Sequence, residues 1–257
     1  MSMEPEATGA AGEVLEPDAE TSVTISNLSV SFDGFKAVDD VSLLMLKGQV
    51  HFLIGPNGAG KTTLVDALTG LVPATGTAIY NGIDLLTKKT NKIIRAGVGR
   101  TFQTAAVFDE LSVLQNLDIA GGLRRKAWGL GRVRRGVPDY VDEALETIGL
   151  TELRDKPAGI LAHGQKQWLE IGMLLVQDAK VMFLDEPVAG MNADERTIIV
   201  IEHDMEFVRN FAEWVTVMHT GKLLTAGTVE AVQADTRVQE VYLGTAADAA
   251  VEGEEDH

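Results

Sequence analysis

The chain contains no cysteine, which excludes disulfides, thiolate metal sites and cysteine nucleophiles. It also lacks any apolar run approaching the ~18–20 residues that cross a bilayer. Its first residues offer neither the basic start nor the apolar stretch of a secretory signal, so no leader is expected. Positive charge is scarce: 22 Lys and Arg stand against 38 Asp and Glu, for a net charge of −16. That balance argues against nucleic-acid binding through a broad basic face. What remains is ordinary for a globular protein, with 45% hydrophobic and 23% charged residues. A length of 257 residues suits one large domain or two small ones.

The acidity is concentrated at the ends. Residues 1–21 carry Glu4, Glu6, Glu13, Glu16, Asp18 and Glu20 with no Lys or Arg. Residues 244–257 carry Asp248, Glu252, Glu254, Glu255 and Asp256, again with no Lys or Arg. Both stretches are rich in Ala, Gly and Glu and poor in aromatics, so they read as disordered acidic tails that aid solubility. The body between them is close to neutral, with 27 acids against 22 bases.

Within that body, residues 22–32 alternate apolar and polar side chains as a half-buried strand does. Val41–Leu46 reads as a second β segment. Val50–Ile54 is a short apolar run bounded by Gly55-Pro56-Asn57-Gly58, the pattern of a buried parallel strand entering a glycine loop. Residues 61–72 have helical spacing, and Thr77–Leu85 reads as a β segment with a turn at Asn81-Gly82. Segments near 112–123 and 138–149 read as helices, giving a helical insert within an α/β frame. Between them lies a basic run (Arg124, Arg125, Lys126, Arg132, Arg134 and Arg135, with Trp128). It reads as a solvated loop, with an arm near membrane headgroups or a partner as the alternative.

Gly55, Pro56, Asn57, Gly58, Ala59, Gly60, Lys61, Thr62 and Thr63 match G-x-x-x-x-G-K-[ST]. The glycines let backbone N–H groups turn inward and approach phosphate oxygens without a Cβ in the way. The helix that follows points its positive dipole end at the same anion. Lys61 is expected to reach the β and γ phosphates, Thr62 to ligate Mg²⁺, and Thr63 to lie near the α phosphate. Downstream, Val181–Leu184 is an apolar strand ending in Asp185-Glu186. An acidic pair there can simply cap the next helix. Paired with the glycine loop, Asp185 is expected to hold Mg²⁺ and Glu186 to polarise or orient the attacking water. His203 ends a second apolar strand, Thr197–Glu202. A histidine so placed is either structural or a γ-phosphate sensor, and the sensor role is expected here.

These pieces, in this order, resemble the ATP-binding subunit of an ABC transporter across nearly all of residues 22–244. The resemblance implies a P-loop NTPase core of ABC-ATPase type, with an antiparallel β subdomain and a helical subdomain inserted at about 104–165. One ATPase domain over 22–243 is thus expected between the two tails. Gln103, in Gly99-Arg100-Thr101-Phe102-Gln103, sits at the family's Q-loop position, implying contact with metal and water. Leu161-Ala162-His163-Gly164-Gln165 sits at the signature motif, whose backbone N–H groups face the γ phosphate of ATP held by the opposite subunit. Phe32 falls where an aromatic usually stacks on adenine, although a strand Phe is more commonly a core residue.

Within the family the text is most similar to the branched-chain amino-acid group, at Ser31–Val38, Val188–Met191, Glu202–Met205 and Val241–Gly244. The run His163–Met173 is particularly similar to the urea-transport member, so urea is the first cargo expectation. The implied partners are a second ATPase subunit, two transmembrane permease subunits and, through these, a periplasmic or extracellular substrate-binding protein. No nucleic acid is implied. The implied cofactors are ATP and Mg²⁺, and the implied location is the cytoplasmic face of the plasma (inner) membrane, held peripherally.

Two features depart from the family. Ala162 stands where the signature has serine, removing a hydroxyl aimed at the γ phosphate. Between Pro187 and Arg196 there are too few residues for the helix that normally joins two neighbouring parallel strands. This stretch leads either to a missing helix, the favoured reading, or to a different strand arrangement. Together the departures raise an alternative, a nucleotide-binding but catalytically impaired subunit. A non-transport ABC ATPase fits less well, since no second ATPase unit, coiled-coil or zinc insert, or basic surface is present.

Overall fold

The computed structural model describes residues 21–124, 136–185, 196–203 and 205–242. Both tails, most of the basic run, Glu186, the 187–195 stretch and Asp204 lie outside the described residues. The chain divides into two compact units. One is built from the chain before Asn91 together with the chain after Met191, and the other from Asn91–Met191.

The first unit contains two sheets. Strands β1 (Thr21–Phe32), β2 (Phe35–Leu46), β4 (Thr75–Tyr80) and β5 (Ile83–Asp84) form an antiparallel sheet in the order β2-β1-β4-β5. Val23 and Ile25 of β1 are buried, and so are Leu28 and Val30. The apolar spacing therefore slips from two to three between Ile25 and Leu28, and the pairing register shifts at the same place. The slip is a bulge, held by Asn27 in the left-handed region (φ 51°). The Asn27 side-chain amide donates to Asp40 Oδ1 at 2.8 Å. The β1–β2 turn is Asp33-Gly34, both at positive φ, and Asn81-Gly82 makes the same kind of turn between β4 and β5.

The second sheet of this unit runs β10-β9-β3-β8. Strand β3 (Val50–Ile54) lies parallel to β8 (Thr197–Glu202) on one side and to β9 (Trp214–His219) on the other. Strand β10 (Lys222–Gly227) closes the edge antiparallel to β9. All of β8 is buried, as expected of a central strand without polar alternation. Helix α1 (Lys61–Leu68) follows β3 and buries Leu64, Val65, Ala67 and Leu68. Helices α6 (Met205–Phe211) and α7 (Val229–Ala234) flank β9 and β10 in sequence, and residues 236–242 are again helical.

The second unit opens with α2 (Thr90–Arg95) and a parallel pair, β6 (Val98–Arg100) with β7 (Val181–Asp185). Between them come α3 (Val113–Ala120), α4 (Asp139–Thr147) and α5 (His163–Val176). These three helices share a core in which Val113, Leu117, Val141, Leu145 and Leu169 are buried. Helix α3 starts at a full capping box: Ser112 Oγ accepts from the Gln115 amide while Gln115 Oε1 accepts from the Ser112 amide. Asn116 is completely buried, and its side chain bonds both the amide and the carbonyl of Phe108.

Candidate nucleotide site

In the first unit the glycine loop leaves β3 and enters α1. Gly55, Gly58 and Gly60 all take positive φ. At Gly60 (φ 96°) an added Cβ would sit 2.5 Å from the Ala37 carbonyl oxygen, and at Gly55 it would collide with that of Met218. Glycine is thus required twice, once by backbone conformation and once by the close packing of neighbouring main chain. Ala59 is tied on both sides, its amide donating to the Pro56 carbonyl and its carbonyl accepting from the Gly221 amide. Lys61 folds over the loop, its Nζ donating to Gly55 O at 2.6 Å and to Pro56 O at 3.1 Å. An ammonium held by loop carbonyls beside an uncapped helix start is an arrangement suited to an anion. Thr62 is exposed at the second position of α1 and Thr63 half-exposed at the third.

The register of β8 against β3 pairs Glu202 with Ile54, so His203 comes level with Gly55, the first loop residue. His203 is exposed, while the Glu202 carboxylate is buried and accepts the His203 amide at 3.0 Å. Phe32 ends β1 with 45% exposure, next to Phe35 at 71%, so it is a surface aromatic and not a core one. Tyr242, a contributor that sequence reading passed over, is partly buried with its phenol against the Gly55 backbone. Burial pushes that phenol up to about 12.

In the second unit β7 ends at half-buried Asp185. Its amide donates to Thr101 Oγ1 at 3.0 Å, while the Thr101 amide donates to the Phe183 carbonyl. This pair of bonds fixes the carboxylate-bearing strand end against the strand that leads to exposed Gln103. Arg100 stacks over the Phe102 ring at 4.6 Å. Ala162 is the N-cap of α5. It has no side-chain oxygen, so only half of a capping box exists: Gln165 Oε1 accepts from the Ala162 amide at 3.0 Å. The backbone amides of His163 and Gly164 open the helix. At Gly164 nothing lies within 4 Å of where a Cβ would be.

Glu170, on the buried face of α5, was not anticipated. Its Oε1 accepts from the amides of Phe102 (3.2 Å) and Ala106 (3.4 Å), while its Oε2 is buried without a partner. Burial pushes this carboxyl up to about 7, partly offset by the two amides and by Arg100, with Asp185 adding to the rise. The available signal was a lone acid within the apolar text Trp168-Leu169-Glu170-Ile171.

The sequence pattern of ABC transporters matches residues 38–189. The chain is also 35% identical to the high-affinity branched-chain amino acid transport ATP-binding protein BraF of Pseudomonas aeruginosa, covering 86% of this chain and 97% of that one. The chain belongs to the ABC transporter family. As a member of it, the chain is an ATP-binding ATPase. LivG of Escherichia coli, with the same branched-chain description, is 35% identical over 87% of this chain and 98% of its own length. An ATP-binding cassette of an ABC transporter in its ADP conformation superposes with a TM-score of 0.75 at 30% identity, over 87% of this chain and 99% of that one. A nucleotide-free cassette gives 0.73 at 29% identity, over 86% and 98%.

This ABC ATPase is shorter than its relatives within the matched region. The BraF alignment is 249 positions long and occupies 86% of 257 residues, about 221, so about 28 positions have no counterpart here. Strand β7 ends at Asp185 and β8 begins at Thr197, and β8 runs parallel to β3. The expected short connection, with Val188–Met191 and Asn192, falls outside the described residues, as does Glu186.

Proposed function

We propose that this chain powers an ABC importer for branched-chain amino acids by binding and hydrolysing ATP. The observation that carries the reading is the glycine loop between β3 and α1, closed over by Lys61, in a chain most of whose length aligns with branched-chain transport ATP-binding proteins. The urea expectation rests on His163–Met173 alone, whereas the described relatives are amino-acid transport proteins.

The roles follow from the chemistry of each group. Lys61 exchanges its loop carbonyls for phosphate oxygens, and the α1 amides and dipole hold the rest of the triphosphate. Phe32 offers an exposed ring for the adenine face. Thr62, Asp185 and Gln103 are the oxygen donors that would hold Mg²⁺, a set suited to a hard cation. When bound, that ion would neutralise phosphate charge. Asp185 is held ready by the Thr101 bond to its own amide. Glu186 orients the attacking water, and His203 reads the γ phosphate from beside the loop. The α5 start (Ala162, His163, Gly164 and Gln165) supplies amides to ATP bound by a second subunit, so two chains close around two nucleotides. Two permease subunits and, through them, a substrate-binding protein complete the importer at the cytoplasmic face of the membrane. Consistent with that peripheral place, no helix among the described residues is long and apolar enough to cross a bilayer. ATP binding the closed pair more tightly than the open one is what drives the switch.

The test is ATP hydrolysis by the purified chain and by Glu186→Gln, followed by reconstitution with permease subunits of a branched-chain amino-acid importer. Hydrolysis is expected to fall at least a hundredfold in the variant, and leucine with its binding protein to stimulate the wild-type complex. Equal rates in the two chains would remove Glu186 from its role. Stimulation by urea and not leucine would reassign the cargo.

A further inference from the structure

A five-residue stretch, Phe102–Ala106, carries Gln103 at its second position. Nothing in its own sequence makes it rigid: Gln103 and Thr104 are exposed, and Phe102 is 39% exposed. Yet both ends of the stretch are tied to one atom. Glu170 Oε1, from α5, accepts the amides of Phe102 and Ala106. Glu170 itself is 4% exposed, and its other oxygen is buried with no partner.

A carboxylate is a costly choice for this position. Leu169, Ile171 and Leu174 surround it in sequence and are buried, so packing alone asks for another aliphatic residue. Anchoring a loop does not need a charge either, since Phe108 is held by the neutral Asn116 side chain. An acid buried there, with one oxygen on two amides and the other without a partner, points to a demand that packing does not explain. The demand visible in the structure is reach: a single side-chain oxygen accepts both amides, which no aliphatic residue can offer.

We propose that Glu170 is a positioning residue for Gln103, clasping the two amides that flank it so that the glutamine keeps its place through ATP turnover. The link runs from α5, whose first turn is the signature segment, to the stretch that carries the metal-facing glutamine. It therefore joins two parts of the proposed catalytic cycle within one unit. The kinetic part of the inference rests on the ATPase reading above, and the clasp itself does not.

The experiment uses the full chain with Glu170→Leu and Glu170→Gln, reading amide hydrogen exchange, ATP affinity and steady-state hydrolysis. In Glu170→Leu, exchange at Phe102 and Ala106 is expected to quicken by about tenfold, as loss of their acceptor implies. Exchange across Val181–Leu184 should stay as in wild type. The kcat should fall by roughly tenfold with ATP affinity within about twofold, the pattern of a group that acts on turnover and not on nucleotide binding. Glu170→Gln keeps an acceptor oxygen and should restore most of both. Unchanged exchange at Phe102 and Ala106 in Glu170→Leu would overturn the clasp. Faster exchange with unchanged kcat would overturn the positioning role, as would equal loss of protection throughout β7. Should Glu170→Leu fail to fold, Glu170→Met carries the same test with a more adaptable side chain. A wild-type chain that hydrolyses no ATP would defeat the functional reading, while the exchange comparison would still decide the clasp.

Discussion

Helices α1 and α5 both begin without a side-chain cap, and they differ in how their openings are built. Helix α1 starts at Gly60, which is wedged against the Ala37 carbonyl with φ at 96°. Its anion site is completed by the same chain, with Lys61 already over the loop. Helix α5 starts at Ala162, where Gln165 closes one amide and the space above Gly164 is open. The glycine of the first start is required by its own surroundings, and that of the second is not. In the proposed function the reason is that the second start meets its ligand on another subunit. A helix opening that looks under-built in one chain can be half of a site.

The largest effects should come from setting the two glycines against each other. Gly60→Ala adds a Cβ in a left-handed conformation against a backbone oxygen. Strain of this kind costs about 1–3 kcal/mol before the collision is relieved. ATP affinity, measured with a fluorescent analogue, should drop at least about a hundredfold, equivalent to ~2.7 kcal/mol. Gly164→Ala should instead raise stability towards urea by up to ~1 kcal/mol, because alanine is the better helix former. Its nucleotide affinity should not change, yet its hydrolysis should fall, since the open space is where the second subunit's phosphate would arrive. Equal damage to ATP binding by both variants would break the comparison.

A smaller, pH-dependent effect should distinguish the strand beneath the first start. His51 of β3 is fully buried, with Nε2 2.7 Å from Thr216 Oγ1 of β9, and burial pushes its imidazole down to about 4. The unfolded imidazole titrates at the ordinary 6.5. A folded value below the unfolded one means that the stability is present above pH 6.5 and is lost as pH falls from there towards 4. At pH 5 the loss is about 2 kcal/mol by linkage. His51→Gln can still bond Thr216 but does not titrate. The stability gap between wild type and variant should therefore shift by about that much between pH 7.5 and pH 5, as read by urea unfolding. A gap independent of pH would mean that His51 does not carry the acid sensitivity of this strand.

The first start was legible in the sequence because its causes are contiguous. The apolar run Val50–Ile54, three glycines, Lys61 and the helical spacing of α1 all fall within twenty residues. The turn Asn81-Gly82 was readable for the same reason, a local demand for positive φ met by local residues, whereas the similar turn Asp33-Gly34 was not read. The fixing of Gln103 was not legible. Glu170 lies 68 positions from Phe102, and only the folding of α5 against the β6 end brings them together. The slip at Asn27 was hidden in a three-residue apolar interval that still resembled alternation. Strands β9 and β10 went unread. The carbonyl of Met218 and the amide of Gly221, which back the loop, were therefore missed as well. Residue types that contact each other across the fold leave only a faint mark locally, such as an acid among aliphatics.

The smallest expected effect tests the second start directly. Ala162 has φ −62° and ψ 158°, already the extended conformation of an N-cap, and Gln165 already accepts its amide. Ala162→Ser supplies the missing oxygen, which can accept from the Gln165 amide and complete the capping box without moving the backbone. In the isolated chain this should add about 1 kcal/mol to stability, at most ~2. The same hydroxyl is what the family places near the opposite subunit's γ phosphate. One bond to a charged group is worth ~1.5–3 kcal/mol when made. Hydrolysis should therefore rise while ATP affinity of the single chain stays unchanged. The two readouts separate the cap from the shared site. Added stability with no gain in hydrolysis would leave α5 an ordinary helix start, improved by an ordinary cap. A gain in hydrolysis beyond what stability explains would show that the open end of α5 completes a site on another chain.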